Sequence, residues 1–160
     1  VTTSALVARL RERGLTVAVA ESLTGGEVVA ELVGVAGVSA VLYGGVVAYN
    51  TAIKRTVLGV DASLLAEHGP VHAEVALQMA DRVRSVLAVD GIPARIGLST
   101  TGVAGPGAQD GHPAGTVFIG IALDDLTDVW QLDLSGDRGA IRRAVVSELL
   151  ARLEKHPGLL

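Results

Sequence analysis

Ser22 lies in AESLTGG, residues 20–26, where an apolar run gives way to a carboxylate, two hydroxyls and two glycines. A serine so placed can serve as an acyl-transfer nucleophile if a base is in reach and N–H groups are free to hold an oxyanion. The nucleophile-elbow pattern of an α/β-hydrolase needs glycine at positions 20 and 24, and the chain has Ala20 and Thr24. Histidine is a poor candidate for the base. His68 and His72 are separated by Gly69–Pro70, cannot share a helical face, and read as loop and helix-start residues rather than metal ligands. His112 falls in a glycine-rich loop and reads as solvent-exposed, and His156 belongs to the tail. Lysine is the better candidate. In VVAYNTAIK, Tyr49 ends a strand-like run and Lys54 follows near the first turn of a helix. If that strand lies beside the one before Ser22, both side chains converge on the serine. Burial among Val, Ala and Leu would depress the lysine pKa, with Tyr49 relaying or positioning the proton.

The same cluster has a purely structural reading. Thr24 and Glu27 form a T-x-x-E capping box, which explains two of its polar residues. A helix start at Gly25–Gly26 would also present N–H groups and a positive dipole end to whatever Ser22 faces. The second glycine-rich segment, TGVAGPGAQDGHPAG at 101–115, admits no regular element. A phosphate-binding P-loop from Gly102 would need lysine at 108, which is Ala108. A dinucleotide fingerprint from Gly105 fails at Asp110. What remains is a loop whose N–H groups can form an anion-binding nest.

The elements that must position these residues alternate. Helical patterns cover about 3–13 (Ser4 as cap, Gly14 as stop), 25–33, 51–58, 61–67, 72–89 and 137–154. Strand patterns cover 15–20, 41–49, 94–101, 116–123 and 128–134, the last two joined by a tight DDLT turn. The expected fold is α/β: a three-layer α/β/α sandwich with a mixed, mainly parallel sheet, as one domain over 1–160.

Composition narrows the partners. The chain is 49% apolar yet has only one Trp, one Phe and two Tyr, so its core is built from small branched side chains. A net charge of −4 and so few aromatics give neither the basic groove nor the stacking platform of a nucleic-acid binder. Without cysteine there is no disulfide and no thiolate metal site. No apolar run approaches the ~20 residues that span a bilayer. The amphipathic start lacks a secretory pattern, so no membrane association and a cytoplasmic location are expected.

These residues resemble the C-terminal domain of the CinA (competence/damage-inducible) family, of the nicotinamide-mononucleotide amidase type. AESLTGG is similar to the family's A-E-S-x-T-G-G, and GGVVAYNTAIK to its strand with Tyr and Lys five apart. TGVAGPG with PAGTVFIG matches its glycine loop and following strand, and GDRGAIRRAVV its final-helix signature. Leu23 stands where the family often has cysteine, His72 where a serine cap is common, and GHPAG lacks the lysine often found before that proline. The resemblance implies a metal-independent, cofactor-free hydrolase that converts nicotinamide mononucleotide to nicotinate mononucleotide and ammonia, in a domain that commonly self-associates as a homo-oligomer. It implies Ser22 as nucleophile with Tyr49 and Lys54 as partners. Substrate contacts are then expected from Glu21, Thr24, Gly25 and Gly26, from Thr101, Gly102, Gly105 and Gly107, and from Arg138 and Arg142. Glu21 from that set, or else Asp110 outside it, would face the pyridinium, and glycine-loop amides or the arginines the phosphate. Two rival readings stay open: a non-catalytic nucleotide-binding module using the same pocket, and an assembly domain.

Overall fold

Strand alternation sets the layers. Along Val17–Glu21 (β1), Val17 and Val19 enter one apolar core while Ala18 and Ala20 enter the other. The computed structural model describes residues 2–159; Val1 and Leu160, the ends of the expected domain, lie outside the described residues. Around β1 the chain runs α1 (Thr3–Glu12), α2 (Glu27–Val33), β2 (Leu42–Val47), α3 (Thr51–Thr56), α4 (Ala62–His68) and α5 (Ala73–Val86). It continues through β3 (Ile96–Gly102), β4 (Thr116–Leu123), β5 (Leu126–Asp133) and α6 (Arg138–Glu154). The sheet order is β2-β1-β3-β4-β5. β1 pairs in parallel with β2 and β3, and β4 pairs antiparallel with β3 and β5, so only β4 opposes the common direction. The expected mixed, mainly parallel α/β sheet is present.

The two faces are packed differently. On one, Val17, Val19, Ile96, Leu98, Ile119 and Ile121 meet the apolar stripes of α1, α2 and α6. On the other, the strands present small residues to α5. A Cβ on Gly97 would sit 1.7 Å from the Ala80 carbonyl oxygen, and one on Gly120 2.8 Å from that of Ala76. Side chains there would push α5 off the sheet; instead Ser99 donates to the Ala76 carbonyl at 2.7 Å. The close approach fixes the start of α5, and with it Pro70 and Val71, against the end of β3: Thr101 donates to the Pro70 carbonyl at 2.7 Å.

Several boundaries differ from the sequence reading. α1 is capped by Thr2, whose hydroxyl accepts from the Ala5 N–H, and Ser4 lies inside the helix. α5 ends at Val86, three residues short of 89. The 101–115 segment is tied down rather than irregular throughout. β3 extends to Gly102, Val103 and Thr116 pair, Gly115 donates to Val103, and Gln109 and His112 bond mutually at the tip. No helix among the described residues is long and apolar enough to cross a membrane.

Candidate active site

β1, β2 and β3 end level with one another, which puts Ser22, Ala48 and Thr101 at the carboxyl edge of the sheet. Open α/β sheets bind ligands at such edges. Glu21 is the last β1 residue and points toward α2. It accepts from the N–H groups of Gly26 (3.0 Å), Val28 (3.1 Å) and Val29 (2.9 Å). A buried carboxylate on three donors at the positive end of a helix is a strong cap. The expected capping box does not form: Gly26, not Thr24, is the N-cap of α2, and Glu21 takes the first N–H groups from inside the sheet. Thr24 bonds instead to the Thr100 hydroxyl at 2.8 Å, and Glu27 pairs with Arg142 at 2.8 Å.

These groups lock the turn that carries Ser22. The Ser22 N–H is shared between the Thr100 carbonyl (3.0 Å) and hydroxyl (3.2 Å). Arg142 donates to the carbonyls of Leu23 (2.9 Å) and Thr24 (3.1 Å). Thr100 was not singled out in the sequence, since an inward threonine in a buried strand has no signature apart from its tertiary partner.

Lys54 approaches from the opposite side. Asn50 caps α3 through the Ala52 N–H at 2.9 Å, and the first turn then aims Lys54 back under the sheet edge. The lysine is 1% exposed. Its Nζ donates to Ser22 Oγ at 2.9 Å and to the Ala48 carbonyl at 2.6 Å, with the Tyr49 carbonyl at 3.5 Å. Burial lowers its pKa from 10.5 to about 8. The contact sets a hydroxyl against an amine whose pKa lies near neutrality, an arrangement open to base-assisted attack.

That tuning opposes folding. Between about pH 8 and 10.5 the unfolded lysine is protonated and the folded one is not, so stability climbs with pH across that window and is lowest below it. At neutral pH the burden is about 3 kcal/mol. Lys54→Met, which fills the space without charge, is therefore expected to hold or raise the melting temperature at pH ~7 while abolishing any Ser22 chemistry. A drop of several degrees in a thermal melt would mark Lys54 as a structural residue.

Ser22 and Lys54 open into a cavity of about 290 Å³, walled by Leu23, Tyr49, Val71, Ala104, Gly107 and Arg138 among others. Thr101, Gly102 and Gly105 line it as well. Arg138, at the start of α6, donates to the Gly105 carbonyl (2.7 Å) and the Tyr49 hydroxyl (3.0 Å). Tyr49 is 59% exposed, and its hydroxyl is engaged by Arg138, not by Ser22 or Lys54. Only its carbonyl touches the lysine.

Five expected contact residues stand behind the wall instead of lining it. Glu21, Thr24 and Arg142 are engaged as described. The N–H of Gly25 donates to the Ser22 carbonyl and that of Gly26 to Glu21, so neither is free to hold an oxyanion. Asp110 is also off the wall, near Gly69, leaving no carboxylate among the lining residues. The free donors lie elsewhere. The N–H groups of Leu23, Ala104, Gly105, Gly107 and Ala108 have no acceptor among the described residues, and all five residues line the cavity. Leu23 directly follows Ser22, the position that supplies an oxyanion donor in many serine hydrolases, and that offset was the signal available in the sequence. Of the histidines, His72 caps α5 through the Glu74 N–H and stacks on His68 at 4.4 Å, while His156 is buried against Asp128. In a larger groove, of about 580 Å³ between α1, α2 and α6, the Thr3 hydroxyl donates to Glu31 at 2.6 Å, but that pair is exposed, unlike Ser22 and Lys54.

Known proteins align with this arrangement over nearly the whole chain. The family model for the CinA C-terminal domain matches residues 2–156. A CinA-like protein of Frankia casuarinae is 48% identical over 88% of the chain, which corresponds to 31% of that relative's length. The chain thus spans about a third of the curated relatives it matches. Among solved structures, competence damage-inducible protein A of Klebsiella pneumoniae is 34% identical, with a TM-score of 0.87 over 98% of this chain and 97% of that one. A competence or damage-inducible protein of Enterobacter asburiae is 28% identical, with a TM-score of 0.91 over 99% and 96%.

Proposed function

The chain belongs to the CinA C-terminal domain family, and from that premise we propose that it is a serine–lysine amidase that hydrolyses nicotinamide mononucleotide to nicotinate mononucleotide and ammonia. The 2.9 Å contact between Lys54 Nζ and Ser22 Oγ, in a buried site that lowers the lysine pKa, carries the reading. Neutral Lys54 takes the hydroxyl proton as Ser22 Oγ adds to the carboxamide carbon. The adduct breaks its C–N bond, and that proton leaves with the ammonia. Water then adds to the acyl ester and gives a proton to Lys54, the C–Oγ bond breaks, and Lys54 returns the proton to Oγ. One amide and one water become one carboxylic acid and one ammonia. The Leu23 N–H, with a donor from the Ala104–Ala108 loop, holds the oxyanion. Arg138 takes the ribose phosphate, exchanging the Gly105 carbonyl and Tyr49 hydroxyl for a doubly charged acceptor. Tyr49 positions Arg138 and is no proton relay.

Ammonia release from purified nicotinamide mononucleotide tests the reading directly; binding without release would favour a non-catalytic nucleotide-binding module. Free nicotinamide has the same amide but nothing for Arg138. Its kcat/KM is expected to be lower on the order of a hundredfold, with kcat falling as well as affinity. Equal efficiency on the two compounds would remove Arg138 from the mechanism.

A further inference from the structure

Lys54 is a buried cation without a counter-ion among the described residues. Its three acceptors, Ser22 Oγ and the Ala48 and Tyr49 carbonyls, match the three protons of an ammonium, and none carries a charge. The titratable groups on the surrounding elements are engaged or turned away. Glu21 is held by the N–H groups of α2, and Glu27 by Arg142. Asp110 lies against Gly69, and His68 and His72 stack on each other at the start of α5. On α3, Arg55 is exposed. Arg138 adds a second positive charge to the wall, and no lining residue is Asp or Glu. The cavity therefore has one cation at Ser22 and another, Arg138, elsewhere in its wall, and no Asp or Glu among its lining residues neutralises either.

Turnover delivers an anion to the first of them. A neutral carboxamide enters beside Ser22. The acid that replaces it passes its proton to the Lys54 amine, leaving carboxylate and ammonium in contact. Resting on the amidase reading, we propose that the cavity binds its acid product, with a carboxylate in place of the carboxamide, more tightly than its amide substrate, so that the product inhibits the enzyme through Lys54. The pyridinium, ribose and phosphate are common to both compounds, and the preference comes from the positive charge of Lys54, which no carboxylate in the wall neutralises. It is strongest below pH ~8, where the lysine is an ammonium, and fades above, where the neutral amine that drives the chemistry predominates. Inhibition and turnover are thus coupled to one proton in opposite senses.

Calorimetry on the Ser22→Ala protein tests this with nicotinate and nicotinamide mononucleotides as probes. At pH ~6.5 the acid is expected to bind roughly tenfold or more tightly than the amide. That preference should vanish by pH ~9.5, and at all pH values in the Ser22→Ala, Lys54→Met double variant. Equal affinities at pH ~6.5, a preference that survives the loss of Lys54, or no binding of either compound overturns the proposal. Ammonia release by the native protein separates it from the reading beneath it. Turnover without the preference removes only the product inhibition. Preference without turnover removes the amidase and supports the carboxylate site by itself.

Discussion

Ser22→Ala should release no ammonia from nicotinamide mononucleotide, a loss of about 10⁴-fold or more in kcat, while still binding the nucleotide. The substitution removes only Oγ, which accepts from Lys54 and makes no other side-chain bond among the described residues. The turn itself stays pinned through the Ser22 backbone N–H on Thr100, the Glu21 cap and the Arg142 clamp. The melting temperature should therefore move little. Two measurements on one protein separate the roles: ammonia release reports the nucleophile, and a thermal melt reports the turn. Turnover near the native level would remove the covalent mechanism. A fall in stability comparable to losing a helix cap, about 1 kcal/mol, would make Ser22 a structural residue.

The second large effect is at Lys54. With the lysine pKa lowered to about 8, the neutral base becomes more abundant as pH rises through that value, so kcat/KM of the native protein should climb on a limb centred near pH 8 and then level off. Lys54→Arg keeps the positive charge but cannot give up its proton in this range. Turnover should fall about 10³-fold at neutral pH, within the span that a positioned general base contributes, and the limb should disappear. Phosphate recognition should survive, because it is assigned to Arg138, which bonds Gly105 and the Tyr49 hydroxyl and not Lys54. Retained turnover in Lys54→Arg, or an unchanged limb, would transfer the base to another group. Initial rates across pH ~6–10 on both proteins decide it.

By itself the sequence determined the element types and the outline of the site. Alternating apolar strands and 3.6-period helices imply the α/β fold, since each pattern is local and has one face to bury. Ser22, Tyr49, Lys54 and the 101–107 loop were legible for the same reason: serine before paired glycines, tyrosine five before lysine, and a loop too glycine-rich for any element. Tertiary structure alone decided which neighbouring polar groups serve the turn and which face the cavity. Thr24 and Glu27 have the spacing of a capping box, but Glu21 reaches the α2 donors first from the buried end of β1. Local spacing cannot register a competitor that arrives across the sheet. Gly25 and Gly26 looked like free donors for the same reason, yet their N–H groups are taken within the turn. Arg138 and Arg142 are near neighbours on one helix and equivalent as sequence, but a helical offset of four residues puts them on different turns. One reaches the cavity rim and the other the turn behind Ser22. The base, too, exists only in three dimensions. A lysine gains a usable pKa by leaving water, and Lys54 leaves it only when α3 folds back on the sheet edge, where Ser22 and the carbonyls of Ala48 and Tyr49 accept from it.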